Sequence, residues 1–372
     1  MRNAYRYTML CLGLAGCLDL SVLQSGANPP DMALPMDMAT PDMAAPPVDM
    51  APGDMAPGDM ATPFAWASVT PGTAPAKLYG ISGVASGGTN IYVVGAAATV
   101  VKSTNGTQFA AAAAPATGAM DFTSLWVQDA NNLYVADANG KVFVSTDGAT
   151  AAGNWSDKGT GSLTPQRAIF GRSGAGASVL VAGDDTTRAL LLTPITAPSW
   201  STTATACTGG VKSTGVWASS SYYLIVGEGF KAAKGTNPAT ACTQLSNMDL
   251  AGSPNFVAAS GVDDQNAYLL TADGQLGHTD LTAANDKMFR RGRVNGATFT
   301  AMWVRNVNEV WVVGSQGGNP KVWQWQSGSM NMTDRTGTLS AGGYTLTGIW
   351  GDGAGGLWII GNNGTNGAIF KH

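Results

Sequence analysis

The sequence predicts an all-β fold, a seven-bladed β-propeller, from three observations: a long repeat, the strands within it and the turns between them. Two short apolar runs joined by a Gly/Asp turn recur seven times, at intervals of about 44 residues. The second apolar runs of the seven copies end at Gly95, Asp137, Gly183, Gly227, Thr271, Gly314 and Gly361. Several short strands in a repeat of this length are typical of propeller blades.

We expect four strands in each unit, with the first apolar run innermost and the second next to it. Third strands are indicated at residues 99–103, 141–145, 321–325 and 368–371. The Asn-Gly at 105–106 and the Asp-Gly at 147–148 then favour hairpin turns, because both central positions of such a turn need positive φ. A fourth strand opens on an aromatic residue, as at Trp155 and Trp200.

The last unit ends at His372 without a fourth strand. Residues 64–70 place Trp66 before small and β-branched residues, which is the pattern seen at Trp155 and Trp200. We therefore expect this N-terminal segment to supply the missing strand of blade seven. Such a closure would remove the open edge that a ring of sheets otherwise leaves.

Aromatic residues recur at the third position of the innermost run in five units: Trp126, Phe170, Trp217, Trp303 and Trp350. They could form a ring that stacks on sugars or bases around the central channel, or they could pack between blades. Ser82 and Ser260 interrupt the series, and the neighbouring blades cover both faces of each blade. We therefore expect packing between blades.

The charge distribution argues against nucleic acid as a partner. Charged residues make up 12% of the chain, and the net charge is −4. Seven Asp residues and no Lys or Arg lie between residues 18 and 63, and two arginines, Arg2 and Arg6, precede them. Residues 64–372 therefore carry one net positive charge, which gives no support for binding phosphates of DNA or RNA.

The first sixteen residues have the pattern of a secretory leader. Arg2 and Arg6 precede a short apolar stretch at residues 9–15, which is too short to span a bilayer. The leader ends in the residues Leu-Ala-Gly-Cys at 14–17, which resemble the lipobox of bacterial lipoproteins. The resemblance implies cleavage before Cys17, lipid on its sulfur and an anchor in the membrane; an ordinary secreted protein is the alternative. Leu18, where some lipoproteins have a retention Asp, implies the outer membrane.

Residues 17–63 predict a disordered tether rich in Asp, Met, Ala and Pro. The dipeptide Asp-Met occurs there six times, and the stretch after Gly26 has no aromatic residue and no hydrophobic periodicity. Thioethers favour Cu(I), so a metal-binding tract is the alternative to a spacer. We expect a spacer and no metal. The expected organisation is a signal peptide at 1–16, the tether at 17–63 and the propeller at 64–372.

Cys207 and Cys242 remain once Cys11 has left with the leader and Cys17 carries lipid. Both follow Thr-Ala in successive units, and an even pair in an oxidising compartment indicates a disulfide. Two free thiols are the alternative.

No catalytic residue or cofactor is predicted. The chain has only two histidines, His278 and His372, which makes a zinc site or a Ser-His-Asp centre improbable. The acidic pairs at 184–185 and 263–264 follow strands, where Asp is ordinary turn chemistry.

Four strands per unit with Ser-Thr-Asp-Gly before a Trp resemble the Asp-box (BNR-type) propellers and the photosystem II assembly-factor-type propellers. The resemblance covers residues 64–372 and implies the fold. It also brings sialidases into consideration, yet no arginine of this chain maps onto their arginine triad. Instead Arg290, Arg291 and Arg293 crowd into one run at 287–293. That run is either a solvated outer strand or loop, or a contact for an anionic partner.

These observations predict a monomeric cell-envelope protein that is lipid-anchored at Cys17 to the outer membrane and that binds or scaffolds a protein or glycan through its propeller. The alternatives are a carbohydrate-active enzyme, either a sialidase-like hydrolase or a lyase, and an assembly factor for an envelope complex. The loops of the ring are the expected recognition surface.

Overall fold

A computed structural model describes residues 64–372 except 86–88, 117, 119, 162–163, 175, 194, 197–198 and 248. These residues form seven sheets of four or five strands. Each innermost strand contacts those of both neighbouring sheets, and the last contacts the first. The chain is therefore a seven-bladed β-propeller, as predicted. The leader, Cys17 and the tether lie outside the described residues.

The first four blades each contain four antiparallel strands, which follow one another from the channel outwards. They are Leu78–Val84, Asn90–Gly95, Val100–Ser103 and Ala110–Ala111 in blade one; Phe122–Val127, Leu133–Asp137, Val142–Ser145 and Trp155–Asp157 in blade two; Gln166–Arg172, Ser178–Gly183, Leu190–Leu192 and Ser201–Thr202 in blade three; Ser213–Ala218, Tyr223–Gly227, Ala232–Gly235 and Thr243–Gln244 in blade four.

Blade five has a fifth strand, and blade seven takes its outermost strand from the N-terminal side of the ring. The strands are Phe256–Asp263, Asn266–Thr271, Gln275–Thr279, Lys287–Arg293 and Ser246–Asn247 in blade five; Ala297–Asn306, Glu309–Gln316, Asn319–Gln326 and Thr333–Asp334 in blade six; Thr345–Gly351, Leu357–Asn363, Asn366–Lys371 and Ala67–Ser68 in blade seven. The described helices are short: Ala152–Asn154, Thr205–Thr208 and Gly337–Ala341.

The predicted closure of the ring is confirmed. Ala67 pairs with Lys371, and Ser68 pairs with Phe370. Trp66 is buried in one cluster with Phe370, and its Nε1 donates a hydrogen bond to the Arg335 carbonyl at 3.0 Å. The two ends of the described segment 64–372 therefore meet within one sheet, and blade seven has four strands.

The innermost strands share a β-bulge and a hydrogen bond between blades. In all seven, the register shifts at the second, third or fourth residue of the strand. In four blades a threonine at this point donates its hydroxyl to a carbonyl of the following blade: Thr123, Thr214, Thr300 and Thr347. These bonds hold neighbouring blades together around the axis.

The aromatic residues of the innermost strands pack between blades, as expected. Trp126 lies against Gly171 of blade three, and Trp217 lies against Gly261 of blade five. A Cβ added to Gly171 would sit 2.3 Å from the Trp126 ring. The same indole-on-glycine contact joins Trp303 to Gly351 and Trp350 to Gly83. The small residue in one blade therefore makes room for the ring of the blade before it.

The predicted disulfide is present and links blades three and four. Cys207 lies in the helix Thr205–Thr208, which follows the outer strand of blade three, and Cys242 directly precedes the outer strand of blade four. The two Cα atoms are 5.0 Å apart, and 35 residues separate the cysteines in sequence. The bond therefore closes a loop that contains most of blade four.

We expect loss of this disulfide to lower the free energy of unfolding by about 3–4 kcal/mol, because the unfolded chain gains the freedom that the loop removes. Urea unfolding of the Cys207→Ser, Cys242→Ser double variant would measure the change. A reductant should destabilise the natural protein and leave the double variant unaffected. Equal stability with and without the bond would contradict this expectation.

Candidate functional site

The basic run at residues 287–293 forms an unusually long outer strand in blade five. Lys287–Arg293 has seven residues, whereas the outer strands of the other blades have two or three. The short strand Ser246–Asn247 pairs in parallel with its first two residues. Arg291 has no partner on the neighbouring strand, because a β-bulge inserts it into the ladder. A β-bulge changes the direction in which side chains point, so the alternation of side chains along the strand is interrupted at Arg291.

A groove of about 400 Å³ lies between blades five and six. Arg290 and Arg291 line it on the side of blade five, and Val307 and Met330 line it on the side of blade six. No carboxylate is among the described residues that line it. The groove is therefore cationic, with an apolar wall.

Three buried rings form the floor of the groove. The Tyr268 ring lies 5.1 Å from the His278 ring and 5.9 Å from the Trp325 ring. The Tyr268 hydroxyl donates to the Val307 carbonyl at 2.8 Å, and Trp325 Nε1 donates to the Arg291 carbonyl at 2.9 Å. These bonds tie the two blades together beneath the groove, so its shape is held by fixed aromatic side chains.

His278 is neutral at the bottom of this groove. Burial, together with the positive charge of Arg291, lowers the pKa of His278 from 6.5 to about 4. The Arg291 guanidinium donates to His278 Nδ1 at 3.3 Å, which requires that nitrogen to be unprotonated. Asp280 and Asp263 oppose the shift without cancelling it. The two arginines therefore supply the charge of the groove at neutral pH.

We expect the protein to lose stability through His278 as the pH falls from about 6.5 to about 4. In this pH range His278 binds a proton in the unfolded chain but stays unprotonated in the folded protein, so protonation favours unfolding. The shift corresponds to about 3 kcal/mol. Urea unfolding of the natural protein and of His278→Gln across this range would test it. Parallel pH profiles for the two proteins would contradict it.

Within the part of the chain that the structure describes, the guanidinium groups of the three arginines of the run lie in no ion pair. Arg167, Arg188 and Arg305 each lie in an ion pair. Among the described residues, no carboxylate is paired with Arg290, Arg291 or Arg293, and the buried Nε of Arg290 has no hydrogen-bond acceptor. Three unpaired positive charges are therefore gathered in one strand.

Arg293 does not line the groove, although it belongs to the predicted run. Its backbone N–H instead donates to the Met330 carbonyl at 3.3 Å, and Arg293 bridges to Asn331. The predicted contact set is therefore divided: Arg290 and Arg291 face the groove, and Arg293 fastens the adjacent loop of blade six.

Two exposed apolar side chains, Val307 and Met330, line the groove. Among the described residues, all four exposed large hydrophobic side chains belong to blades five and six: Val262, Phe289, Val307 and Met330. Met330 is the most exposed, at 53%. Phe289 pairs with His278 in the sheet but is not among the residues that line the groove. The groove therefore has exposed apolar side chains beside its unpaired charges.

The predicted acidic pairs have structural roles. Asp184 is ion-paired with Arg167 and Lys212, and Asp185 with Arg188. The Asp263 carboxylate accepts backbone N–H groups of its own turn. These carboxylates therefore already form ion pairs or accept hydrogen bonds within their own turns.

The mouth of the central channel holds a second cavity, of about 460 Å³. Arg167 and Asp121 are the charged residues that line it, and Tyr79 and Thr123 lie beside them. Arg167 is engaged by Asp184. Neither clustered arginines nor paired carboxylates face this mouth within the described residues.

The part of the chain that the structure describes contains no evident metal site. No group of three His, Cys, Asp or Glu side chains is arranged there to hold an ion. In the same part of the chain, no helix has the length and hydrophobicity that crossing a bilayer requires.

The groove and the ring together define the class of this protein: a seven-bladed β-propeller with a cationic groove between two blades. No protein-family model matches the chain, and no curated protein matches it. Solved structures do resemble it. YCF48 bound to D1 peptide is 16% identical, with a TM-score of 0.61, over 84% of this chain and 99% of that one.

Two other solved propellers are similar at lower identity. The WD40 β-propeller domain of Doa1 is 11% identical, with a TM-score of 0.63, over 82% of this chain and 97% of that one. Virginiamycin B lyase from Staphylococcus aureus is 10% identical, with a TM-score of 0.64, over 82% of this chain and 98% of that one. At such identities the likeness concerns the fold.

Proposed function

We propose that this protein is a non-enzymatic binding protein whose propeller captures a protein partner through the groove between blades five and six. The observation that carries the proposal is the coincidence, in one place, of the unpaired Arg290 and Arg291 with the exposed Val307 and Met330. Charged and apolar groups left without partners inside the chain are available to another chain. A solved structure of YCF48, which has a similar fold, contains a bound peptide, and this is a precedent for the proposed role.

Among the described residues, the enzymatic alternative has no comparable site. Hydrolysis of glycosides needs a pair of carboxyl groups across a cleft, and a sialidase-like site needs clustered arginines. The channel mouth offers Arg167, already held by Asp184, and a single carboxylate, Asp121. A binding role therefore fits the described residues better.

Capture from detergent-solubilised membranes, followed by identification of the partner, tests the proposal. We expect the natural protein to retain a partner that the variant with Arg290, Arg291 and Arg293 all changed to Glu loses. A matched variant, Arg188→Glu, changes an arginine of blade three and should retain it. A partner held equally by all three proteins would refute the role of the groove.

We further propose that the protein is anchored by lipid on Cys17 to the outer membrane, with residues 17–63 as a flexible spacer and the propeller as a monomer. The lipobox-like residues at 14–17 and the Leu at position 18 support this location. Two or more acyl chains would anchor the protein stably. Labelling cells with a radioactive fatty acid should mark the natural protein and not Cys17→Ser. Equal labelling of both would overturn the anchor.

A further inference from the structure

We infer that the ligand of the groove between blades five and six is an extended acidic peptide segment. A side-chain carboxylate of the segment meets Arg291, and a neighbouring apolar side chain lies against Val307 and Met330. The inference rests on the proposed function and specifies the chemistry of its partner.

The carboxylate follows from the charge of the groove. Arg291 is exposed, sits on a β-bulge and has no carboxylate partner among the described residues. Its side chain contacts the neutral His278, which can accept a single N–H from it. The guanidinium carries five N–H donors in a planar fork that matches a carboxylate. A carboxylate ligand therefore uses donors that His278 leaves free.

Arg290 adds to the same preference. Its backbone N–H is taken by the Asp249 carboxylate, whereas the Nε of its side chain is buried without an acceptor. The Arg290 side chain lines the groove and lies in no ion pair among the described residues, so its positive charge favours an acidic ligand as well.

The apolar contact follows from the opposite wall. Val307 lies in the turn after the innermost strand of blade six, and Met330 lies in the loop before its outermost strand. They are 39% and 53% exposed, and both line the groove. Met side chains adapt to varied apolar partners. An apolar side chain next to the carboxylate would cover both residues.

The shape of the site favours a peptide over a bilayer. The arginines line a concave groove of about 400 Å³, a volume within the range of ligand sites. A bilayer presents a flat surface, and it would leave the floor of such a groove unfilled. A peptide segment in extended form can place alternate side chains into it.

Fluorescence anisotropy with short, capped peptides tests this inference on the full chain with Cys17 changed to Ser. The probes share a Gly/Ser background and carry at their centre Glu-Leu, Gln-Leu or Glu-Ser; a fourth probe carries Leu at a free C-terminus and no Glu. We expect the Glu-Leu probe to bind at least about tenfold more tightly than the Gln-Leu and Glu-Ser probes, since each of these lacks a group for one wall. It should also bind more tightly than the fourth probe, whose carboxylate belongs to the chain end and not to a side chain of an extended segment.

Arg291→Gln should weaken binding of the Glu-Leu probe about tenfold, and Arg188→Gln should leave it unchanged. Circular dichroism would confirm that each variant is folded. Equal binding of the Glu-Leu and Gln-Leu probes, or tightest binding of the free C-terminus, would overturn the inference. So would sedimentation with phosphatidylglycerol vesicles that Arg291→Gln abolishes, since this would assign the groove to a membrane. If none of the peptides binds while partner capture still requires the arginines, the ligand chemistry is wrong and the proposed function stands.

Discussion

Trp66→Ala should lower the free energy of unfolding by about 3–5 kcal/mol, the range for removing a large buried aromatic side chain. Trp66 is 6% exposed and packs in one cluster with Trp311, Leu346 and Phe370. Its Nε1 is hydrogen-bonded to Arg335, and its backbone N–H donates to Thr338 Oγ1 at 2.9 Å. Removing the ring therefore opens a cavity where the first strand joins the last blade. Equilibrium unfolding in urea would measure the loss.

The matched control is Trp200→Ala. Trp200 opens the corresponding position in blade three, where it is half-buried and donates to the Lys158 carbonyl at 3.2 Å. Its removal does not touch the closure of the ring, so we expect a smaller loss. Equal losses for both variants, or none for Trp66→Ala, would contradict the role of the N-terminal strand as the closing strand.

Lys234→Met should cost about 3 kcal/mol, because it breaks a buried ion pair and removes a donor from two carbonyls. The Lys234 side chain is 9% exposed, and its Nζ lies 2.7 Å from Asp286. The same Nζ donates at 2.8 Å to the carbonyls of Leu281 and Ala283. This lysine of blade four thereby fixes the loop that leads into the basic strand of blade five.

Lys321→Met is the control for the second prediction. Its Nζ lies 2.6 Å from Asp334, whose side chain is 48% exposed, and exposed pairs contribute at most about 1 kcal/mol. Thermal unfolding of both variants would separate the two cases. A smaller effect for Lys234→Met than for Lys321→Met would mean that burial does not set the strength of these pairs.

The sequence predicts the ring well because the signals that form it are local and repeated. The apolar runs recur in all seven units, an Asn-Gly or Asp-Gly turn follows the third strand in the first two units, and Trp66 repeats the pattern of Trp155 and Trp200. The turn at Asp147 shows why such signals are dependable: its carboxylate accepts hydrogen bonds from Ser145 and Thr150. Apart from the closing strand of blade seven, each blade is formed by residues that are close in sequence, so its strands and turns can be predicted from the sequence alone.

The groove is harder to predict because its parts come from two blades. The arginine run is visible in the sequence, whereas the bulge at Arg291 and the strand Ser246–Asn247 leave no apolar alternation to detect. The exposure of Val307 and Met330 depends on how blades five and six meet. In the sequence, Tyr268 and Trp325 are indistinguishable from ordinary core residues. The groove therefore depends on how the two blades pack against each other, and this packing cannot be predicted from the sequence pattern alone.

Site-specific photo-crosslinking tests the proposed binding face most directly. A benzoylphenylalanine at Met330 places the crosslinker in the groove, and one at the exposed Ala110 places it on the outer strand of blade one. We expect irradiation of cells to join a partner protein to the Met330 variant and not to the Ala110 variant. Crosslinking to the same partner from both positions, or from Ala110 alone, would contradict recognition by the groove between blades five and six.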